Sequence, residues 1–193
     1  MKLFAQLFHD LDEMTKTNAK LDRLVEYFKS APPEDATWVV WFLSGNRIKG
    51  TVKTGEIRNF VAERADLPVW LVEECHHQVG DLAETAALLL RCESNREPLP
   101  LNFVIKKYIR AMRGMDSQAR KESMNQAWNE IRSHDLLPFH KLLTGGFRMG
   151  VSRGNLVKAL AQVGNVQPAV ISQRLAGEWN PDTLSIGEIL NPE

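Results

Sequence analysis

Two stretches hold the residue types best suited to chemistry. From Leu43 to Ala62 the chain reads LSGNRIKGTVKTGEIRNFVA, and from Leu143 to Ala161 it reads LTGGFRMGVSRGNLVKALA. Each sets glycines beside lysine and arginine just ahead of a segment with helical periodicity. A helix start leaves about four backbone N–H groups without partners and carries partial positive charge, so an anion is stabilised there. Glycines let the anion come close to the backbone, while cations and hydroxyls supply further donors. The first stretch offers Gly45, Asn46, Arg47, Lys49, Gly50, Lys53, Thr54 and Gly55. The second offers Gly145, Gly146, Arg148, Gly150, Ser152, Arg153, Gly154, Asn155 and Lys158. Neither has the GxxxxGK[ST] or GxGxxG spacing of a nucleotide loop, so the chemistry suits a phosphodiester backbone.

The competing reading is that glycines end one helix and Ser or Thr caps the next, as at many helix junctions. Two features favour binding. The copies align, pairing Gly45 with Gly145 and Arg47 with Arg148 or its neighbour. After one extra residue in the first copy, Val52 pairs with Val151, Gly55 with Gly154, Ile57 with Leu156 and Ala62 with Ala161. The loop portion of each copy also falls in an acid-free window, Ala36 to Gly55 and Leu136 to Gly177. The whole chain balances 24 basic against 24 acidic residues, so a polyanion must be met by such local patches.

The elements that position these loops carry the helical period almost throughout. Leu3, Phe4, Leu7, Phe8, Leu11 and Met14 trace one helix face; Leu21, Leu24, Val25 and Phe28 trace a second, ended by Pro32 and Pro33. Val104, Ile105, Tyr108, Ile109 and Met112, then Met124, Ala127, Trp128 and Ile131, trace two more. Leu67 to Leu90 reads as two helices meeting near Gly80. The expected class is all-α, with about ten to twelve helices in two pseudo-symmetric lobes. The polar stretch RCESNREPLP, Arg91 to Pro100, predicts a boundary between lobes at about 1–90 and 100–178, with 179–193 as a tail or linker.

Cys75 and Cys92 are too few for a disulfide framework, which predicts a reducing, cytoplasmic setting. The longest apolar run, Trp38 to Leu43, falls far short of the roughly eighteen residues of a membrane helix, so no membrane partner is expected. Cys75, His76 and His77 are adjacent and have no second ligand pair at zinc spacing, so they predict a core thiol beside surface histidines. His134, Asp135 and His140 cluster before the second loop; Asp135 reads as a helix cap and both histidines as surface groups. No nucleophile and base pair stands out. Trp38, Trp41, Trp70 and Trp128 fall on apolar faces, which leaves Trp179 as the free aromatic. In IKKYIRAMRG, Ile105 to Gly114, Lys106, Lys107, Arg110 and Arg113 form a basic face that is either solvated or a third backbone contact.

FRMGVSRGNLVKALA resembles the segment by which the N-terminal helical domain of bacterial ATP-dependent DNA ligases touches DNA. The likeness extends to MKLFAQLFHDLDEMTKTNAKLDRLVEYF, WFLSGNRIKG and LPVWLVEECHHQVGDLAETAALLL, nearly the whole chain. The resemblance implies a two-lobed bundle of about a dozen helices. It further implies sequence-independent binding of duplex, nicked DNA through minor groove and backbone, in repair or replication, beside a catalytic domain in cis. Such ligases form lysyl-AMP at a K-x-D-G motif, and none occurs here; Lys20-Leu21-Asp22-Arg23 lacks the glycine. The expectation is therefore a DNA-binding domain without catalysis and without its own cofactor, ATP and Mg belonging to a catalytic domain that would begin beyond residue 193. Two alternatives stay open. VSRGNLVKALAQVGNVQPAVISQRLAG has the flavour of a helix-turn-helix, with Ala169, Val170, Ser172 and Gln173 on a recognition helix. An α-helical domain docking a protein through its loops is the other.

Overall fold

The computed structural model of the chain describes residues 1–90, 96–145, 147 and 149–192. Twelve α-helices and no strand occur among them. They are α1 (Lys2–Glu13), α2 (Thr17–Ser30), α3 (Pro33–Leu43), α4 (Thr54–Ala65), α5 (Val69–Val79), α6 (Leu82–Leu89), α7 (Leu101–Val104), α8 (Ser117–Glu130), α9 (Ser133–Thr144), α10 (Arg153–Gly164), α11 (Pro168–Arg174) and α12 (Ile186–Leu190). After α7 the coil continues as a π turn, Ile105–Ile109, and a 3-10 turn, Arg110–Met112.

Local chemistry fixes most boundaries. Pro33 opens α3, where its missing N–H leaves no bond unmade. Asp81 and Asp116 cap α6 and α8 by accepting from the Glu84 and Ala119 N–H groups at 2.9 and 2.8 Å. Gly80 ends α5 with φ +81°, at the point where the sequence predicts two helices to meet.

Element lengths repeat along the chain. α2 and α8 have 14 residues each, α3 and α9 have 11 and 12, and α4 and α10 have 12 each. α4 closes on Asp66 (φ 54°, ψ 46°) and α10 on Asn165 (φ 51°, ψ 43°). Among the described residues these are the only non-glycines at positive φ, a conformation Asn and Asp tolerate because their short side chains bond locally. The alignment with one extra residue in the first loop therefore holds at both helix ends, since Lys53 and Ser152 precede the two helices.

Residue contacts group the chain into two compact units. One compact unit comprises 3–46 and 148–193, the other 1–2 and 47–147. Each unit thus takes the first half of one repeat and the second half of the other, and the chain changes unit inside each glycine loop. Residues 91–95 of the polar stretch expected as a boundary, Arg91 to Pro100, lie outside the described residues.

In the 3–46 and 148–193 unit, α2 packs on α10, burying Leu24, Tyr27, Phe28, Leu156 and Leu160. In the 47–147 unit the core holds Ile57, Val61 and Phe139 together with Val104, Ile105, Ile109, Met112 and Trp128, the last five on faces the periodicity predicts. His140 corrects the sequence reading: it is fully buried, not a surface group, and accepts from Trp128 Nε1 at 3.0 Å. Asp135 is also buried and holds Arg132 by two bonds at 2.9 and 3.0 Å. Among the described residues no helix is long and apolar enough to cross a membrane.

Candidate nucleic-acid interface

The first loop is pinned by what it buries. Ile48 and Thr51 turn inward, which leaves Arg47, Lys49 and Lys53 exposed. Gly50 takes φ +72°, and Arg113 Nε donates to the Lys49 carbonyl at 2.9 Å. Around this loop lies a cavity of about 380 Å³, lined by residues 47–53, Arg120, Leu143, Thr144 and Gly145. The start of the second copy thus meets the first copy's basic loop within one unit. Gly145 is needed there: at φ +71° a Cβ would come within 3.3 Å of Arg47 Cδ.

The start of α4 differs from the open anion site its sequence predicts. The Glu56 carboxylate accepts from the Lys53 backbone N–H at 2.9 Å and from Arg120 Nη1 at 2.8 and 3.1 Å. Burial would raise this carboxyl, but the Lys53 N–H, the Arg120 and Ser117 hydrogen bonds and the Arg120 charge outweigh it. They hold Glu56 below the ordinary carboxylate range. A carboxylate therefore already sits on this helix start, and the exposed positive charge lies in the loop side chains instead.

The second loop is built on the same plan with other groups. Met149 is buried, Gly150 takes φ +60°, and Lys20 Nζ donates to the Met149 carbonyl at 2.9 Å. A Cβ on Gly150 would lie 2.7 Å from Lys20 Nζ, so glycine makes room for the ammonium. Ser152 caps α10, its Oγ accepting from the Asn155 N–H at 3.2 Å. No acid occupies the first turn of α10, so this helix start keeps its positive field. Gly154 is exposed, as is Lys158.

Several predicted residues have structural duties. Arg153 Nη2 donates to the Leu175 carbonyl at 2.9 Å, closing the end of α11. Asn46 Nδ2 donates to the Trp41 carbonyl at 3.1 Å, at the end of α3. Thr54 and Gly55 form the first turn of α4, and Gly45 turns the chain out of α3 at φ +94°. Gly146 and Arg148 lie outside the described residues, as does Cys92.

Sequence reasoning missed Lys20 and Arg120. Both are the fourth residue of their helix, α2 and α8, a hundred positions apart, and each reaches one loop. Extending the repeat back through these two helices is the signal that would have found them. Of the basic face beyond α7, Lys107 is engaged by Glu130 at 3.1 Å and lies over the Phe103 and Tyr108 rings, while Arg113 serves the first loop. Trp70 is 66 % exposed, against the expected apolar face, and Trp179 is half-buried with its carbonyl bonded to Trp41 Nε1 at 2.9 Å. Cys75 and His76 are half-buried and His77 is exposed.

An all-α chain with duplicated glycine loops, each approached by a cation from a helix distant in sequence, Arg120 at the first and Lys20 at the second, defines a class of helical module. A family model described as DNA ligase N terminus matches residues 1–161, most of the chain. The chain belongs to that family, the N-terminal domain of ATP-dependent DNA ligase. No curated protein matches it.

Proposed function

We propose that the chain binds duplex DNA at a nick, without reading sequence, by contacts to phosphates and the minor groove, and presents it to a ligase catalytic domain acting in cis in DNA repair or replication. The observation that carries this reading is the cavity of the first loop, where Arg47, Lys49 and Lys53 converge and the adjacent Glu56 is neutralised by Arg120. The acid-free start of α10, with Ser152, Lys158 and Lys20, offers the second contact. Phosphate contacts of this kind position a duplex and carry no sequence information.

ATP and Mg belong, on this reading, to the catalytic domain. Lys20-Leu21-Asp22-Arg23 does not fit an adenylation site: the Lys20 ammonium is engaged by the Met149 carbonyl, and Arg23 binds the Asp10 carboxylate through Nε. No step of nucleotidyl transfer is assigned to this chain.

Fluorescence anisotropy with nicked, intact and single-stranded DNA of two unrelated sequences, over a salt series, tests the reading. Expected are equal affinities for the two sequences, a steep fall with salt from counterion release, and tighter binding of the nicked duplex. A preference of several kcal/mol for one sequence would instead favour a helix-turn-helix regulator.

A further inference from the structure

Arg120 lines the first-loop cavity, yet its charge is already matched. Its Nη1 bonds both Glu56 oxygens, while its Nε is buried and has no hydrogen-bond partner among the described residues. A buried guanidinium N–H without an acceptor is uncommon and asks for an explanation. Glu56 stands at the third position of α4, where it takes the Lys53 N–H that a phosphate oxygen would otherwise approach. The second loop has no counterpart to this carboxylate. Asn155 occupies the matching position of α10, and Lys20, the counterpart of Arg120, bonds a backbone carbonyl.

We propose that Glu56 is a resident competitor for phosphate at the first loop, and that Arg120 is a latent fourth cation of the cavity. Glu56 holds Arg120 towards the cavity and cancels its charge, so Arg47, Lys49 and Lys53 alone attract DNA. The pair is a built-in limit on the strength of the first loop's grip. The inference rests on the DNA-binding reading above.

Glu56→Gln separates the two effects. Glutamine keeps an acceptor for the Lys53 N–H and for Arg120 and removes only the charge. The expected result is roughly threefold to tenfold tighter binding at low salt, with a log K against log salt slope steeper by about 1, since Arg120 then neutralises a phosphate. Arg120→Gln leaves the carboxylate uncompensated and weakens binding more than Lys49→Gln does. The double variant returns close to the parent affinity. Thermal melts followed by circular dichroism confirm folding; if Arg120→Gln does not fold, the Glu56→Gln arm decides alone. A folded Glu56→Gln chain with unchanged or weaker binding and an unchanged slope overturns the inference. If Lys49→Gln flattens the slope while Glu56→Gln fails to steepen it, only this inference falls. If the parent shows no salt-dependent binding, the DNA-binding reading falls as well.

Discussion

The Lys20 ammonium donates to the Met149 carbonyl at 2.9 Å, joining two residues 129 positions apart. The bond ties α2 to the loop ahead of α10 and brings a cation to a helix start that has no acid in its first turn. A backbone carbonyl fixes the ammonium without cancelling its charge, so Lys20 remains able to attract a phosphate. Lys20→Met, which keeps the aliphatic stem, is expected to weaken DNA binding and to flatten the log K against log salt slope by about 1. An unchanged slope would show that Lys20 only fastens the loop.

The two loop glycines should respond differently to alanine. Gly50 and Gly150 both have positive φ, so each substitution costs about 1 kcal/mol of backbone strain. A Cβ at Gly50 meets nothing within 4 Å, whereas one at Gly150 would displace the Lys20 ammonium. Gly150→Ala should therefore reproduce the binding loss of Lys20→Met, and Gly50→Ala should lower the melting temperature with little change in affinity. Equal affinity losses for the two alanines would contradict this assignment.

His140 gives the fold a pH dependence of its own. Its Nδ1 lies 2.8 Å from the Leu136 carbonyl and its Nε2 accepts from Trp128, which places the proton on Nδ1. Burial pushes the imidazole down from 6.5 to about 4, against the opposing pull of the Leu136 carbonyl. The unfolded chain takes up this proton near pH 6.5 and the folded chain only near 4, so the stability is complete above pH 6.5 and is lost as pH falls to 4. The loss is about 3 kcal/mol. Burial raises the Glu56 and Asp81 carboxyls, but the Lys53 N–H and Arg120 hold the first, and Lys141 and the Glu84 N–H the second, below the ordinary range, so both add their losses at lower pH. Urea midpoints at pH 7, 6 and 5 should fall for the parent and stay nearly level for His140→Phe. Parallel declines in both proteins would rule His140 out as the cause.

The absent K-x-D-G motif makes a chemical prediction. Incubated with radiolabelled ATP and Mg, the chain should acquire no label that survives denaturing electrophoresis, and it should not seal nicked DNA. A phosphoramidate adduct, stable to base and labile to acid, would contradict the assignment of adenylation to another domain.

Much of the fold is written in local pattern. The apolar face of Val104 to Met112 and the capping residues Asp81 and Gly80 specify helices because they act within one or two turns of themselves. The duplicated loop was legible for the same reason, and the structure supports its shifted register through the matching caps Asp66 and Asn165.

By itself, then, the sequence determined the all-α class, the two basic glycine loops and the lack of an adenylation motif. Only the tertiary structure decided which half of each repeat packs with which, and so which distant cation serves each loop. It gave Lys20 to Met149 and Arg120 to Glu56, turned Arg153 towards a carbonyl and placed His140 inside the core. The reason is range. Caps and periodicity depend on neighbours a few residues away, whereas an ion pair or a buried imidazole depends on side chains that only packing brings together.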